Sequence, residues 1–187
     1  MTAGIIILII VGIIVLWVLF TYNRLVTLRN RAKEGWSDID VQLKRRHDLI
    51  PNLVESVKGI MGHERTLLEN ITKARAGAME AQASGNTTEL AKSESQLSGM
   101  LSKLAIAVEA YPEIKANQNM AQLMDELSDS ENKIQASRRF YNGQVRDLNT
   151  MIETAPANIV AKAFSFMKMD FFEITDAKER ENVKVSF

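Results

Sequence analysis

Two histidines are the first residues in this sequence that invite a chemical reading. His63-Glu64 opens like the zinc-protease pattern, in which two imidazoles one helical turn apart hold a metal and a glutamate between them activates water. Thr66 and Leu67 follow, and Leu67 stands where the second imidazole must be. Di-iron bundles ask instead for Glu-x-x-His on two helices. Three residues before His47 and His63 stand Lys44 and Ile60. The absence of cysteine removes thiolate ligands, disulfides, redox pairs and cysteine nucleophiles together. Neither a phosphate-cradling glycine loop nor a Gly-x-Ser-x-Gly elbow occurs, although both chemistries depend on such backbones. The expectation is a protein without catalytic residues, metal site or cofactor.

Charge offers interaction chemistry instead. Lys44-Arg45-Arg46-His47 is the densest basic patch. A cation near an anionic bilayer contributes about 1 kcal/mol. On a continuous helix this patch lies about 30 Å or more beyond the apolar run described below, where attraction to lipid is screened. Pairing is the simpler account, because Asp40 lies four residues before Lys44 and Asp48 is close by. A second polar row runs through Glu131, Gln135, Arg138, Asn142 and Asn149. Facing the first row, Glu131 and Arg138 would meet Arg45 and Asp48. The candidate inter-helix network is therefore Asp40, Arg45, Asp48, Glu131, Arg138 and Asn142, which would fix register more than add stability; a solvated face is the alternative. Across the chain 23 Lys and Arg balance 23 Asp and Glu. Such neutrality gives no general pull toward nucleic acid.

The elements that must position these residues begin with an anchor. Ala3 to Phe20 carries no charge and is rich in Ile, Val and Leu. At 1.5 Å per residue it spans roughly 27 Å, close to the hydrocarbon thickness of a bilayer. No basic residue precedes the run and no small-x-small site follows it, so a retained span is expected over a cleaved signal. Trp17 and Tyr22 suit the headgroup layer, and Arg24, Arg29, Arg31 and Lys33 follow at once. The positive-inside rule then places the N-terminus outside and the remainder in the cytoplasm.

Beyond the anchor the apolar spacing is helical throughout. Trp36, Ile39, Leu43, Ile50, Leu53, Val57 and Ile60 form one stripe, continued by Leu67, Ile71, Ala74 and Ala78. Pro51 falls inside it and predicts a kink or a new helix start. Gly85 suits a helix end, and Asn86 with Glu89 suits the next start. Leu90, Leu97, Leu101, Leu104 and Val108 make a further stripe ended by Tyr111-Pro112. Leu123, Leu127, Ile134, Tyr141, Val145, Leu148 and Ile152 make the last, closed by Pro156. The predicted fold is all-α: a transmembrane anchor (1–22), an antiparallel up-and-down bundle of about four long helices (23–155), and a short amphipathic segment with an extended tail (156–187). In that last segment Phe164, Phe166, Phe171 and Phe172 are expected to cover one end of a core, with a sticky membrane or partner patch as the alternative. Val183 to Phe187 alternates like a strand but has no partner strand in the sequence, and is read as a tail.

Several stretches together resemble the LemA family of bacterial membrane proteins. They include Tyr22-Asn23-Arg24-Leu25-Val26, Trp36 through Arg46, Asp48-Leu49-Ile50-Pro51-Asn52-Leu53-Val54-Glu55, Ala110 through Asn117, and Glu131 through Ile134 with Arg138 through Asn142. The resemblance implies one membrane helix, long antiparallel helices and no catalytic mechanism, and it carries over no functional residues. A magnetosome-associated relative implies a role in shaping or organising membranes. Family genes often lie beside a membrane metalloprotease, which implies partnership in envelope quality control. The leading expectation is a scaffold at the bacterial inner membrane, whose partners are the lipid bilayer and further copies of itself; Gly4 and Gly12 in the apolar run suit helix association. The alternative is an adaptor or regulatory subunit of a membrane protease or envelope-stress system.

Overall fold

A computed structural model describes residues 2–173, and the tail read at Val183 to Phe187 lies outside them. The described residues form six helices and no strand: α1 (Thr2–Lys58), α2 (Arg65–Ser84), α3 (Thr87–Val108), α4 (Pro112–Lys115), α5 (Gln118–Glu153) and α6 (Ala157–Ala163). The chain divides into two compact units. Among the described residues, one comprises 2–37 and 139–171, the other 38–138 with Phe172 and Glu173.

The second unit is a four-helix bundle. Its core is drawn from the C-terminal part of α1, from α2 and α3, and from the N-terminal part of α5, with Leu53, Ile71, Leu97 and Leu104 fully buried. Asp40 of α1 meets Gln82 of α2, and His47 meets Arg75, so the two helices run in opposite directions. Gly85 then adopts a left-handed conformation (φ 73°), which costs glycine nothing. The Asn86 side chain accepts from the N–H groups of Thr88 and Glu89 and starts α3 in the return direction, as the sequence predicts. Pro112 occupies the first turn of α4, where its missing N–H leaves no bond unmade.

Pro51 does not interrupt α1, which passes through it to Lys58, so the expected kink or restart is not the helix boundary. A mid-helix proline orphans the carbonyl four residues earlier, here that of His47. Arg75 Nε donates to that carbonyl at 2.6 Å, so α2 supplies the bond that Pro51 cannot. The break comes instead at the Gly59–Glu64 turn, where the N–H groups of Ile60 and Met61 both donate to Val57 O. Met61 turns inward and is buried, whereas Ile60, expected in the stripe, is 39% exposed.

In the first unit α1 pairs with the C-terminal part of α5, and α6 packs its Val160 and Ala161 against Leu25, Leu28 and Leu148. Gly35 marks the closest approach. A Cβ there would stand 2.9 Å from Phe140 Cδ1 and 3.2 Å from Tyr141 Cα. After α6 the chain is tied to α5: Asn149 exchanges two hydrogen bonds with the backbone of Met169 (2.9 and 3.0 Å), and Tyr141 Oη donates to Asp170 O at 2.8 Å. Burial, and then Asp170, push the Tyr141 phenol up to about 12, which keeps it a donor. The four phenylalanines divide: Phe166 and Phe172 are buried, Phe171 half-buried, and Phe164 54% exposed.

Candidate functional site

The most concentrated chemistry lies inside the four-helix bundle. Arg46 on α1, Glu94 on α3 and Glu131 on α5 each sit in a gap of the apolar stripe on their helix, between Leu43 and Ile50, Leu90 and Leu97, and Leu127 and Ile134. Arg46 and Glu94 occupy core positions that the surrounding spacing assigns to apolar residues, whereas on α5 buried Ser130 fills that position and Glu131 borders it, half-buried. Arg46 is 1% exposed and Glu94 3%. The Arg46 guanidinium pairs with both carboxylates, reaching Glu94 through one terminal nitrogen and Glu131 through the other. Ser98 accepts from Arg46 at 2.8 Å and donates to Glu131 at 3.0 Å. Gln135 donates to the other Glu131 oxygen at 3.2 Å.

His47 extends the cluster, its Nε2 lying 2.8 Å from Glu94 Oε1. Burial first, then the cations of Arg46 and Arg75, lower its pKa to about 4, while Asp48 opposes them. At neutral pH the imidazole is therefore uncharged, and Nε2 donates to the Glu94 carboxylate. Burial also lowers the Arg46 pKa, offset by Glu131. The result ties three helices together through groups that are costly to bury alone. A half-open cavity of about 320 Å³ beside Arg46, Ser98 and Glu131, lined also by Ser102, Ser128 and Asn132, gives Glu131 its partial contact with solvent.

The candidate network read from the sequence is only partly this one. Glu131 is a member, but it meets Arg46 and not the expected Arg45 and Asp48. Successive residues on a helix point about 100° apart, so Arg46 faces the core while Arg45 and Asp48 face outward. Arg45 lies 3.6 Å from Glu126 at the surface, and Asp40 accepts from Gln82 at 2.6 Å at an exposed position. Arg138 lies over the Phe172 ring at 4.9 Å, and burial lowers its pKa against the pull of Glu131. Asn142 is half-buried in the other unit. Arg46, Glu94 and His47 are absent from the sequence-derived set. The signal that could have found Glu94 was the skipped position in its stripe.

The anchor residues lie in the first unit. The large apolar side chains from Ile5 to Phe20, all but half-buried Val18, face outward, and α1 is a helix long and apolar enough to cross a membrane. Trp17 is partly exposed, and Tyr22 packs at 4.8 Å on Phe164 and 5.8 Å on Phe166. Arg24 and Arg31 are exposed, and Arg29 lies 5.1 Å over the Phe166 ring.

Together these features define a membrane-associated all-α protein, with an outward-facing apolar N-terminal helix and a bundle whose core carries an ion-pair layer. Residues 35–187 match the model of the LemA family. The chain belongs to that family. It is 27% identical to "Protein LemA" of Metamycoplasma hominis over 164 residues, covering 88% of this chain and 74% of that protein. It is 22% identical to "Magnetosome protein MamQ" of Magnetospirillum gryphiswaldense over 177 residues, covering 82% of this chain and 65% of the relative. The same identity relates it to "Magnetosome protein MamQ 2" of Paramagnetospirillum magneticum over 178 residues, covering 83% of this chain and 65% of the relative. The chain thus spans just under two thirds of the length of these magnetosome relatives.

Proposed function

We propose that this protein is a non-catalytic, membrane-anchored scaffold. In this reading the N-terminal helix crosses the bacterial inner membrane once with its N-terminus outside, and copies of the helical body associate in the cytoplasm to organise the membrane. The observation that carries the proposal is the outward-facing, charge-free run from Ile5 to Phe20, followed by Arg24, Arg29, Arg31 and Lys33. An apolar surface of that length suits lipid and not water, and the cations after it suit a cytoplasmic flank. The likeness to magnetosome proteins supports a membrane-organising role. The arrangement of the ion-pair layer supports a structural one, because Ser98 is held between Arg46 and a glutamate that is itself paired. A nucleophile needs a base free to take its proton.

Two measurements test the proposal. A single cysteine replacing exposed Ala83 should resist a membrane-impermeant maleimide in intact cells and react after permeabilisation; reaction in intact cells would reverse the topology. Light scattering of the detergent-solubilised full chain should give a multimer. A strict monomer would remove self-assembly, and co-purification of another membrane protein at a fixed ratio would favour an adaptor such as a metalloprotease subunit.

A further inference from the structure

The first unit exposes apolar side chains well outside the N-terminal run. Ile159 is 68% exposed, Phe164 54% and Met167 82%, while Val160 and Phe166 between them are buried. α6 turns its inner face to the core and ends at Ala163. Ser165 then takes a left-handed conformation (φ 54°), and this turn points Phe166 inward and leaves Phe164 and Met167 outside. A soluble surface has little reason to hold such residues together.

Their position identifies what covers them. Phe164 stacks on Tyr22, whose ring also meets Phe166, and Tyr22 lies two residues beyond the apolar run. Val18, inside that run, packs against the same small core as Val160, Ala161 and Met169. The exposed patch is therefore continuous with the end of the helix proposed to cross the bilayer. Lys162 on α6 and Arg24, two residues past Tyr22, are exposed, and long cationic side chains of this kind can keep a charged head in water while the stem lies in lipid.

We propose that α6 and the turn after it form a second membrane contact, an interfacial wedge in which Ile159, Phe164 and Met167 enter the headgroup–acyl boundary next to the transmembrane helix. The wedge fixes the rotation of the anchor about its axis and couples the end of α5 to the lipid surface. It rests on the reading of α1 as a span. The occupant is lipid, because the patch continues, through Tyr22 and Val18, the surface of the helix read as the span. Short amphipathic elements with aromatic and aliphatic tips bind bilayers in this way.

The cysteine-free chain permits a direct test. Full-length protein carrying one cysteine at Met167→Cys, Ile159→Cys, Glu34→Cys or Leu8→Cys is labelled with bimane and reconstituted into phosphatidylcholine–phosphatidylglycerol vesicles. The vesicles contain either ordinary lipid or lipid brominated high in the acyl chain. Bromolipid should quench Met167 and Ile159 labels by at least half as much as the Leu8 label. It should leave unquenched the Glu34 label, which lies 14 residues past Phe20 on α1, about 21 Å along the helix axis. Leu8 quenched with Met167 and Ile159 open to aqueous iodide overturns the wedge and leaves the span intact. Labels at 159 and 167 shielded from both quenchers also overturn it, in favour of a protein partner. An unquenched Leu8 label overturns the span itself, and the wedge with it.

Discussion

Replacing Glu94 by Gln removes one charge from the bundle interior at nearly constant volume. Arg46 is then left in a buried position with Glu131 alone, and Glu131 retains partial access to water (side chain 32% exposed). Breaking a buried pair by removing one partner costs about 3–5 kcal/mol, because the remaining charge stays desolvated. For a domain of this size each kcal/mol moves Tm by about 2–4 °C, so Glu94→Gln should lower it by about 6–20 °C. Glu131→Gln should cost less, because solvent at the cavity mouth replaces part of what is lost. Replacing the layer together with its histidine (Arg46→Met, His47→Leu, Glu94→Leu and Glu131→Leu) should be near neutral or stabilising, because the desolvation cost disappears with the polar groups and none is left unpaired on Glu94. Circular dichroism melts of the full chain in one detergent measure all three variants. A Glu94→Gln variant within about 2 °C of the parent, or one less affected than Glu131→Gln, would refute an ion-pair layer buried as described.

Acid should weaken the bundle through His47. Its folded pKa of about 4 lies below the ordinary 6.5, so the unfolded chain takes up the proton first and stability is lost as pH falls from 6.5 to 4. The shift corresponds to roughly 3 kcal/mol. Urea titrations should show this loss in the parent and a flatter profile in His47→Gln. Arg75→Ala should destabilise by about 1–2 kcal/mol by orphaning the His47 carbonyl, and Pro51→Ala in the same chain should recover much of it, which a double-mutant cycle would read. Gly35→Val should cost about 1–3 kcal/mol, because the opposing backbone at Tyr141 Cα leaves no room. Gly77→Ala and Gly99→Ala, with nothing within 4 Å of the added carbon, should each add about 0.5–1 kcal/mol of stability by melting.

Much of the fold was legible because helical periodicity is a local property. The stripes on α3 and α5 and the cap at Asn86 depend only on neighbouring residues, and they stand where the spacing puts them. The α1 boundary was not legible, because its answer is tertiary: the disruptive effect of Pro51 is answered by Arg75, 24 positions away in sequence. The true turn carried a quieter signal in Gly59 and Gly62. The polar network was half legible for a similar reason. Reading Lys44 to His47 as one patch averages over directions that the helix separates, sending Arg45 to solvent and Arg46 to the core. Skipped positions in the stripes of α1 and α3 marked the buried pair of Arg46 and Glu94 more clearly than the charge run did. The patch at Phe164 and Met167 depends on a left-handed turn at Ser165, a conformation that serine does not announce.

If the first helix holds this protein in a bilayer, an alkaline carbonate wash of membranes from cells making the full chain should not strip it off. The protein should remain in the pellet and enter solution only with detergent. Release into the carbonate supernatant, with the N-terminal helix still attached, would show that this helix does not cross the bilayer.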